Sequence, residues 1–529
     1  MHPATGDCDR ACLPRRRLWP LALLLAASGV GAQQAQQVQP TRQAAEQGAT
    51  GQRGRALTVD MSASVTETLT DNAMLRDSEK RSDAITQLSA GINAALRSDR
   101  VNGVLDYQLT GTVHARESKS DKVGQALRSA VNAVLIENLF YLDGAASISR
   151  QAISAFGIQD VGRSLDNPNT TEVRNLSLTP SLRGRIGSSA VFDARVNFAH
   201  QSTEGSSRGD LSTRTESLSI GARPGVRLGW NASLVRSNYK FKNGRTTQDT
   251  RALAGLVFQP DPSLRFNASL GREENDITTL GAKNNNTWGV GVVWVPSPRT
   301  SLSATRDHRF FGDAHSVSFV HREARTTWRF TSSRDLQNAQ PNQATTVLQD
   351  AFQLLDDLLA SQVPDPVQRR DIVLKYMEQR GIPASAVVNA SFLNSAVTLV
   401  SRQELGFGWQ GVRSNALFTA YRSDSRRVDG VSSVFDDLTT DPAVRQQGAA
   451  LTLGHRLTPV AGISMTLTWQ RSRGASETRN NELTSATLNW TTRLGPSSNF
   501  SLGARHVEFD TQQNPYNENA VFATFGVRF

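Results

Sequence analysis

From about Leu57 onward, apolar and polar residues alternate along the chain. Leu105, Tyr107, Leu109, Gly111, Val113 and Ala115 fall on one side of an extended backbone, and Asp106, Gln108, Thr110, Thr112 and His114 on the other. Phe192, Ala194, Val196 and Phe198 alternate with Asp193, Arg195 and Asn197 in the same way. Ile463, Met465, Leu467 and Trp469 do so with Ser464, Thr466, Thr468 and Gln470. These runs are longer than the five or six residues or so of an ordinary soluble strand and match the roughly 10-residue segments that cross an outer membrane as a β-barrel. A pass along the chain gives about 20–22 strands, an even number being usual for single-chain bacterial barrels. Parity is hardest to read across residues 313–412.

Between the strands, tight turns and longer polar connections take turns. Gly187–Ser189, Arg223–Gly225, Gln259–Pro262, Pro296–Arg299, Thr458–Gly462 and Leu494–Ser498 read as tight. Asp71–Ser82, Phe156–Thr170, Gln201–Asp210, Arg272–Lys283, Asp424–Arg445 and Arg471–Asn481 read as long. Short turns on one side and long loops on the other are the barrel arrangement. Lipid offers nothing to an unpaired strand edge, so closure follows. Trp230, Trp288, Trp294, Trp328, Trp409, Trp469 and Trp490 all sit in expected strands, several near the ends where an interfacial girdle forms. The competing reading places them in the core of a soluble β-solenoid or sandwich.

One stretch changes period. Leu348, Ala351, Phe352, Leu355, Leu358 and Leu359 are spaced as on a helix that ends before Pro364. A second helix starts at Asp365 as cap with Pro366 in its first turn, carries Ile372, Val373, Tyr376 and Met377, and stops at Gly381 and Pro383. This two-helix insertion over residues 340–385 plugs the lumen, caps a mouth, docks a partner or is an inert loop.

The N-terminus carries Arg15, Arg16 and Arg17, an apolar stretch from Leu18 to Ala27, and the small residues Ser28 to Ala32. That is the pattern of a cleaved signal peptide over residues 1–32, too short to span a bilayer. Both cysteines, Cys8 and Cys12, lie within it. A Gln-rich, apolar-poor linker follows over residues 33–56. The chain has 529 residues, 38% of them hydrophobic, and its mean hydropathy of −0.39 excludes a helical membrane protein. The net charge of +10 is spread over 58 basic and 48 acidic residues without a basic block, so nucleic acid is not an expected partner.

Chemistry is sparse. Among the histidines the nearest approach to a cluster is Asp307, His308, Asp313, His315 and His321, one able to bind a metal or serve an outer-membrane hydrolase if the fold assembles it. No metal-binding His spacing, nucleophile elbow or phosphate loop occurs, and neither enzymatic activity nor a cofactor is expected. Arg208, Gly209 and Asp210 spell an adhesion tripeptide in a polar loop. Arg183, Arg185, Arg195, Arg223 and Arg236, with Arg528, are candidate lumen-facing residues that would give a basic lining for an anionic solute or polysaccharide. At the C-terminus Val521, Ala523, Phe525, Val527 and Phe529 alternate with Phe522, Thr524, Gly526 and Arg528. A terminal Phe529 on such a strand resembles the signal read by the outer-membrane assembly machinery of Gram-negative bacteria.

The segments SVTETLTDNAML (Ser64–Leu75), LDYQLTG (Leu105–Gly111) and NLFYLDGAASISRQAISAFG (Asn138–Gly157) resemble the outer-membrane proteins associated with the PEP-CTERM/exosortase system. QVPDPVQRR (Gln362–Arg370) and QRGIP (Gln379–Pro383) in the insertion do so too. The resemblance implies an outer-membrane barrel working beside exopolysaccharide synthesis and PEP-CTERM protein sorting, and it brings no catalytic residues. The chain has no Pro-Glu-Pro sorting tail, which points to a part of the system and not to its cargo. Together these readings give an exported transmembrane β-barrel that acts as a channel or assembly scaffold for exopolysaccharide or surface-protein export, with a general diffusion porin as the alternative. Its expected partners are outer-membrane lipid, the assembly machinery and exopolysaccharide or its export proteins.

Overall fold

The computed structural model describes residues 57–529 apart from 118–119, 163–166, 206–208, 243, 338–353, 361–362, 364–368, 370–371, 374–375, 378–391, 430–435 and 477–478. The expected signal peptide and linker lie outside the described residues. So do Leu348, Ala351 and Phe352, the cap at Asp365 and Pro366, and the stop at Gly381 and Pro383.

Alternation produces 22 strands in a single sheet. The first eight are β1 (Leu57–Thr70), β2 (Asp83–Arg97), β3 (Val101–His114), β4 (Lys122–Ile136), β5 (Phe140–Ala152), β6 (Thr170–Ile186), β7 (Ala190–Thr203) and β8 (Leu211–Ala222). There follow β9 (Leu228–Phe241), β10 (Thr246–Asp261), β11 (Leu264–Asn275), β12 (Lys283–Ser297), β13 (Thr300–Arg309), β14 (Gly312–Arg322) and β15 (Thr326–Gln337). The last seven are β16 (Thr398–Gln410), β17 (Ser414–Arg427), β18 (Ala443–Arg456), β19 (Ala461–Arg473), β20 (Asn480–Arg493), β21 (Ser498–Thr511) and β22 (Tyr516–Arg528). Each strand pairs antiparallel with its chain neighbours, and β1 pairs with β22 from Ser62 opposite Arg528 to Thr70 opposite Ala520. The sheet is therefore a closed barrel without a free edge, as hydrocarbon requires.

The tight turns read from the sequence all lie at the end that holds both chain termini, and the long connections all lie at the other. The terminal end faces the periplasm and the loop end faces outward, as in other barrels of this kind. The period-two faces are as expected: Leu109, Val113, Phe198, Met465 and Leu467 are exposed on the outside, while Thr112, Ser464, Thr466 and Thr468 are buried within. Trp230, Trp294, Trp328, Trp409 and Trp490 gather near the periplasmic ends of β9, β12, β15, β16 and β20 and form the inner interfacial girdle. Trp288 and Trp469 sit farther toward the outer end.

The triplet Thr70-Asp71-Asn72 has a structural task at the seam. Thr70 Oγ1 donates to Glu518 Oε1 at 2.9 Å, the Asp71 carboxylate accepts from the backbone N–H and the amide of Asn519, both at 2.8 Å, and Asn72 Nδ2 donates to the carbonyl of Asn517 at 2.8 Å. A sequence signature of the first loop thus pins the outer end of β1 to β22.

Candidate functional site

The connection from β15 to β16 is the long one, and its described helical residues lie inside the barrel. Its described helical residues are 354–359 (α1) and, in α2, Arg369, Ile372, Val373, Tyr376 and Met377. Leu354, Leu355, Leu358, Leu359, Val373 and Met377 bury one another and pack on Leu417 of β17, the apolar stripe expected from helical spacing. The seat on the wall is made of glycine. Even-numbered residues of β16 face the lumen, and at Gly406 a Cβ would lie 2.9 Å from Leu354 Cδ2, so the glycine gives the Leu354 methyls their room against the wall. Gly408, two residues on, keeps the same strip flat beside the Leu354 Cβ. Ion pairs flank the contact: Arg329 on β15 reaches Asp357 at 2.8 Å, and Arg369 of α2 reaches Asp356 at 2.8 Å. From Thr398 at the outer end of β16 to Gly406 is eight residues, about 26 Å along the strand at ~3.3 Å per residue. The described helical residues therefore rest in the periplasmic half of the lumen.

The outer mouth is tied as well. Ala152 at the end of β5 forms a bridge with Phe392, and the N–H of Leu393 donates to the Ala152 carbonyl at 3.1 Å. Phe392 precedes β16, which stands eleven strands from β5 around the 22-strand ring, so the contact joins opposite walls. Further bonds gather on this segment. The N–H of Ser395 donates to Asp436 at 3.0 Å, and the N–H of Gly209 donates to Ser395 Oγ at 3.1 Å. Asp436 also caps the short helix α3 (Asp437–Thr440) through the N–H of Thr439. Asp437 accepts from Ser154 Oγ and from the N–H of Ala155, at 2.9 and 2.7 Å. Asn481 on β20 donates to the Ala155 carbonyl at 3.0 Å. Gly209 holds a φ of +83°, with Gln201 and Leu393 both 3.2 Å from where a Cβ would be, so only glycine fits this knot.

The loop from β5 to β6 folds over the β20–β22 side. Ile158 and Val161 pack on Leu483, Val507, Phe509 and Tyr516, and the Tyr516 hydroxyl donates to the Gln159 carbonyl. Burial pushes the Asp160 carboxyl up to about 6, while Arg150, Arg505 and Lys122 pull the other way.

The candidate residues separate on this frame. Arg183, Arg185 and Arg195 occupy inward positions near the periplasmic ends of β6 and β7. Arg183 lies 3.2 Å from Asp193 and 3.6 Å from Asp143, and Arg195 bonds Asp193 at 2.6 Å, so the lining here is mixed in charge and not simply basic. Arg223 does not lie on a strand; it is an exposed residue of the β8–β9 turn. Arg236 is corrected outright: it shares the face of exposed Trp230 and Leu234 and stands opposite Glu216, on the outer surface. The alternation of β9 carried that information, since Leu228, Trp230, Ala232 and Leu234 share its parity. Arg528 faces inward, and Phe529 follows β22 with its ring exposed on the lipid side and its N–H donating to the Met61 carbonyl at 2.9 Å.

The His/Asp group is split by the sheet. His308, Asp313, His315 and His321 point outward with Trp288, whereas Asp307 points into the lumen, so the five do not form one site. Gly209 and Asp210 of the adhesion tripeptide are held inside, with the Asp210 carboxylate accepting from the N–H of Thr203 at 2.7 Å and from Lys242 at 3.0 Å; Arg208 lies outside the described residues. A group that sequence reading missed sits on the lumen wall, where Arg309 contacts Glu273, Asp335 at 2.8 Å and Asp249 at 3.2 Å. Its members come from four strands, and only their common inward parity could have flagged it.

A closed sheet with an apolar outer belt, an interfacial Trp girdle and a polar interior is an outer-membrane β-barrel. No protein-family model and no curated protein matches the chain. Among solved structures it is similar to the FrpB iron transporter of Neisseria meningitidis in its apoprotein form, at 11% identity and a TM-score of 0.46 over 89% of this chain and 81% of that one. It is similar to a loop-deletion form of OmpT, an outer membrane protein of Vibrio cholerae, at 9% identity and 0.32 over 90% and 100%. It is similar also to the outer membrane protein OpdK of Pseudomonas aeruginosa, at 8% identity and 0.32 over 89% and 99%.

Proposed function

We propose that the barrel is a gated outer-membrane conduit for exopolysaccharide or PEP-CTERM surface-protein export, with the β15–β16 insertion as its gate. The observation that carries this reading is the seating of Leu354 on the Gly406–Gly408 strip deep in the lumen. A general diffusion porin needs a standing aqueous path, and a helix pair packed into the periplasmic half of the lumen works against one. The mixed lining at Arg183, Arg195, Asp143 and Asp193 suits a hydrated acidic polymer, which meets cations to pair with. The sequence resemblance to exosortase-associated barrels supplies the export context.

The test is planar-bilayer conductance of the full barrel and of a variant lacking residues 340–385, with and without an anionic polysaccharide on one side. A quiet parent, a conducting variant and block of that conductance by the polymer support the proposal. Conductance that is equal in both proteins and indifferent to the polymer returns the protein to the diffusion-porin reading. Silence from both proteins when folded favours an assembly scaffold.

A further inference from the structure

Above the apolar belt, arginine dominates the outward positions of β17, β18 and β19. Arg422 and Arg426 on β17, Arg445 on β18, and Arg471 and Arg473 on β19 share the face of Phe418, Leu451 and Leu467 and lie toward the outer ends of their strands. Arg445 stands directly opposite Arg473. Like charges in that relation repel across about 5 Å. Asp424 alone lies among them, accepting from Arg445 at 2.5 Å and from Arg422 at 3.2 Å. Glu482 at the edge is bonded to Trp469 Nε1 at 2.7 Å and stands 3.7 Å from Arg471. Arg426 and Arg473 pair with no carboxylate among the described residues. Three other outward arginines at this height are matched, Arg174 with Glu172 and Glu204, Arg214 with Glu216, and Arg306 with Asp313, and those without a carboxylate among the described residues, Arg272 on β11 and Arg334 on β15, stand singly on their strands. Beyond Glu482 the carboxylates Glu508 and Asp510 on β21 bound the cluster.

Beside and below these arginines the same outer face is hollowed. Small side chains at Ala486 and Ala504, between Met465, Leu488, Val521 and Leu69, leave an apolar groove of about 400 Å³ within the lipid-facing belt. His506 and Asn519, joined at 2.8 Å, form its upper lip.

We propose that this face seats one molecule of lipopolysaccharide, the phosphorylated and multiply acylated glycolipid of the outer leaflet, with phosphate on Arg422, Arg445, Arg471 and Arg473 and an acyl chain in the groove. Guanidinium forks match phosphate oxygens in geometry and charge. The phosphate relieves the Arg445–Arg473 repulsion, and the height fits, because the arginines begin where the apolar residues end. The groove lies lower on the same face, on β19–β22, at the depth an acyl chain reaches below its headgroup.

Native mass spectrometry of the full chain, folded in detergent, tests the assignment with bisphosphorylated lipid A as probe. The expected result is a one-to-one adduct that survives millimolar inorganic phosphate and binds at least tenfold more tightly than the same lipid stripped of its phosphates. Equal binding of the stripped lipid, or displacement by inorganic phosphate, overturns the proposal, and both readouts use the unaltered protein. In variants, Arg445→Gln with Arg473→Gln weakens the adduct at least tenfold, and Ala504→Trp weakens it by filling the groove. Arg214→Gln with Arg236→Gln on the opposite wall leaves it unchanged; an equal loss there reduces the site to general surface charge and refutes it.

Discussion

Replacing Leu354 by Ala should open the barrel. The side chain is 1% exposed, inside a cluster with Leu355, Leu358, Val373 and Met377, and its methyl groups rest on the strip of wall left bare by Gly406. Truncating such a leucine costs about 2–5 kcal/mol. Taking ~3 kcal/mol, and a tenfold change for each ~1.4 kcal/mol, the equilibrium between seated and released insertion moves roughly 100-fold toward release. The neighbouring ion pair is a weaker tether. Arg329 is 34% and Asp357 15% exposed, and a pair so wetted contributes up to about 1 kcal/mol. Asp357→Asn should therefore shift the same equilibrium by no more than about fivefold. The assay is the conducting fraction of single barrels in a planar bilayer, with heat-modifiable gel mobility to confirm folding. Equal opening by the two variants would show that the apolar seat is not the latch. Silence of Leu354→Ala, together with hydrogen exchange showing the helices released, would refute the insertion as gate.

Asp160 gives the barrel a pH dependence with a definite sign. Its carboxyl sits at about 6 in the folded loop against 3.8 in its ordinary state, because burial disfavours the charge. Between those values the folded form holds a proton that the released form lacks, so the loop is most secure below ~4 and loses stability as pH rises to 6. Asp160→Asn should then raise hydrogen-exchange protection of residues 153–162 by about 2–3 kcal/mol at pH 7.5 and change it little at pH 4; an equal effect at both pH values would contradict this. Leu270→Arg, at a 71% exposed position in the middle of β11, should cost about 2–4 kcal/mol in urea titrations of the barrel in vesicles, whereas an unchanged midpoint would mean that this face does not meet lipid. In the barrel opened by Leu354→Ala, Arg195→Glu should move the reversal potential toward cation selectivity and Arg236→Glu should leave it unmoved, and the opposite ranking would invert the facing assigned to these strands.

What was legible in the sequence follows from the range over which each signal acts. Period-two alternation is local, because side-chain direction on a strand depends only on parity, so β3, β7 and β19 could be read with their faces correctly assigned. The same rule placed Arg236 outward, and treating arginine as a lumen residue by its charge alone overrode it; near the outer end of a barrel, arginine on the lipid side meets headgroups and is not a misfit. Turn lengths revealed the two ends for a similar local reason. The site itself was not legible, because it depends on what meets across the ring. That Leu354 finds Gly406, or that Phe392 before β16 bridges Ala152 at the end of β5, is fixed only once β1 pairs with β22 and twenty-two tilted strands set the width of the lumen. The helical spacing of residues 354–359 announced an apolar stripe in want of a partner, yet a stripe does not say which wall it will cover. Gly406 and Gly408, two glycines of one parity in a strand with no turn to explain them, were the mark that the partner left in the sequence. A helix-spaced leucine run together with same-parity glycines on a neighbouring strand, each costly to its own element, makes physical sense as two halves of one contact inside the barrel.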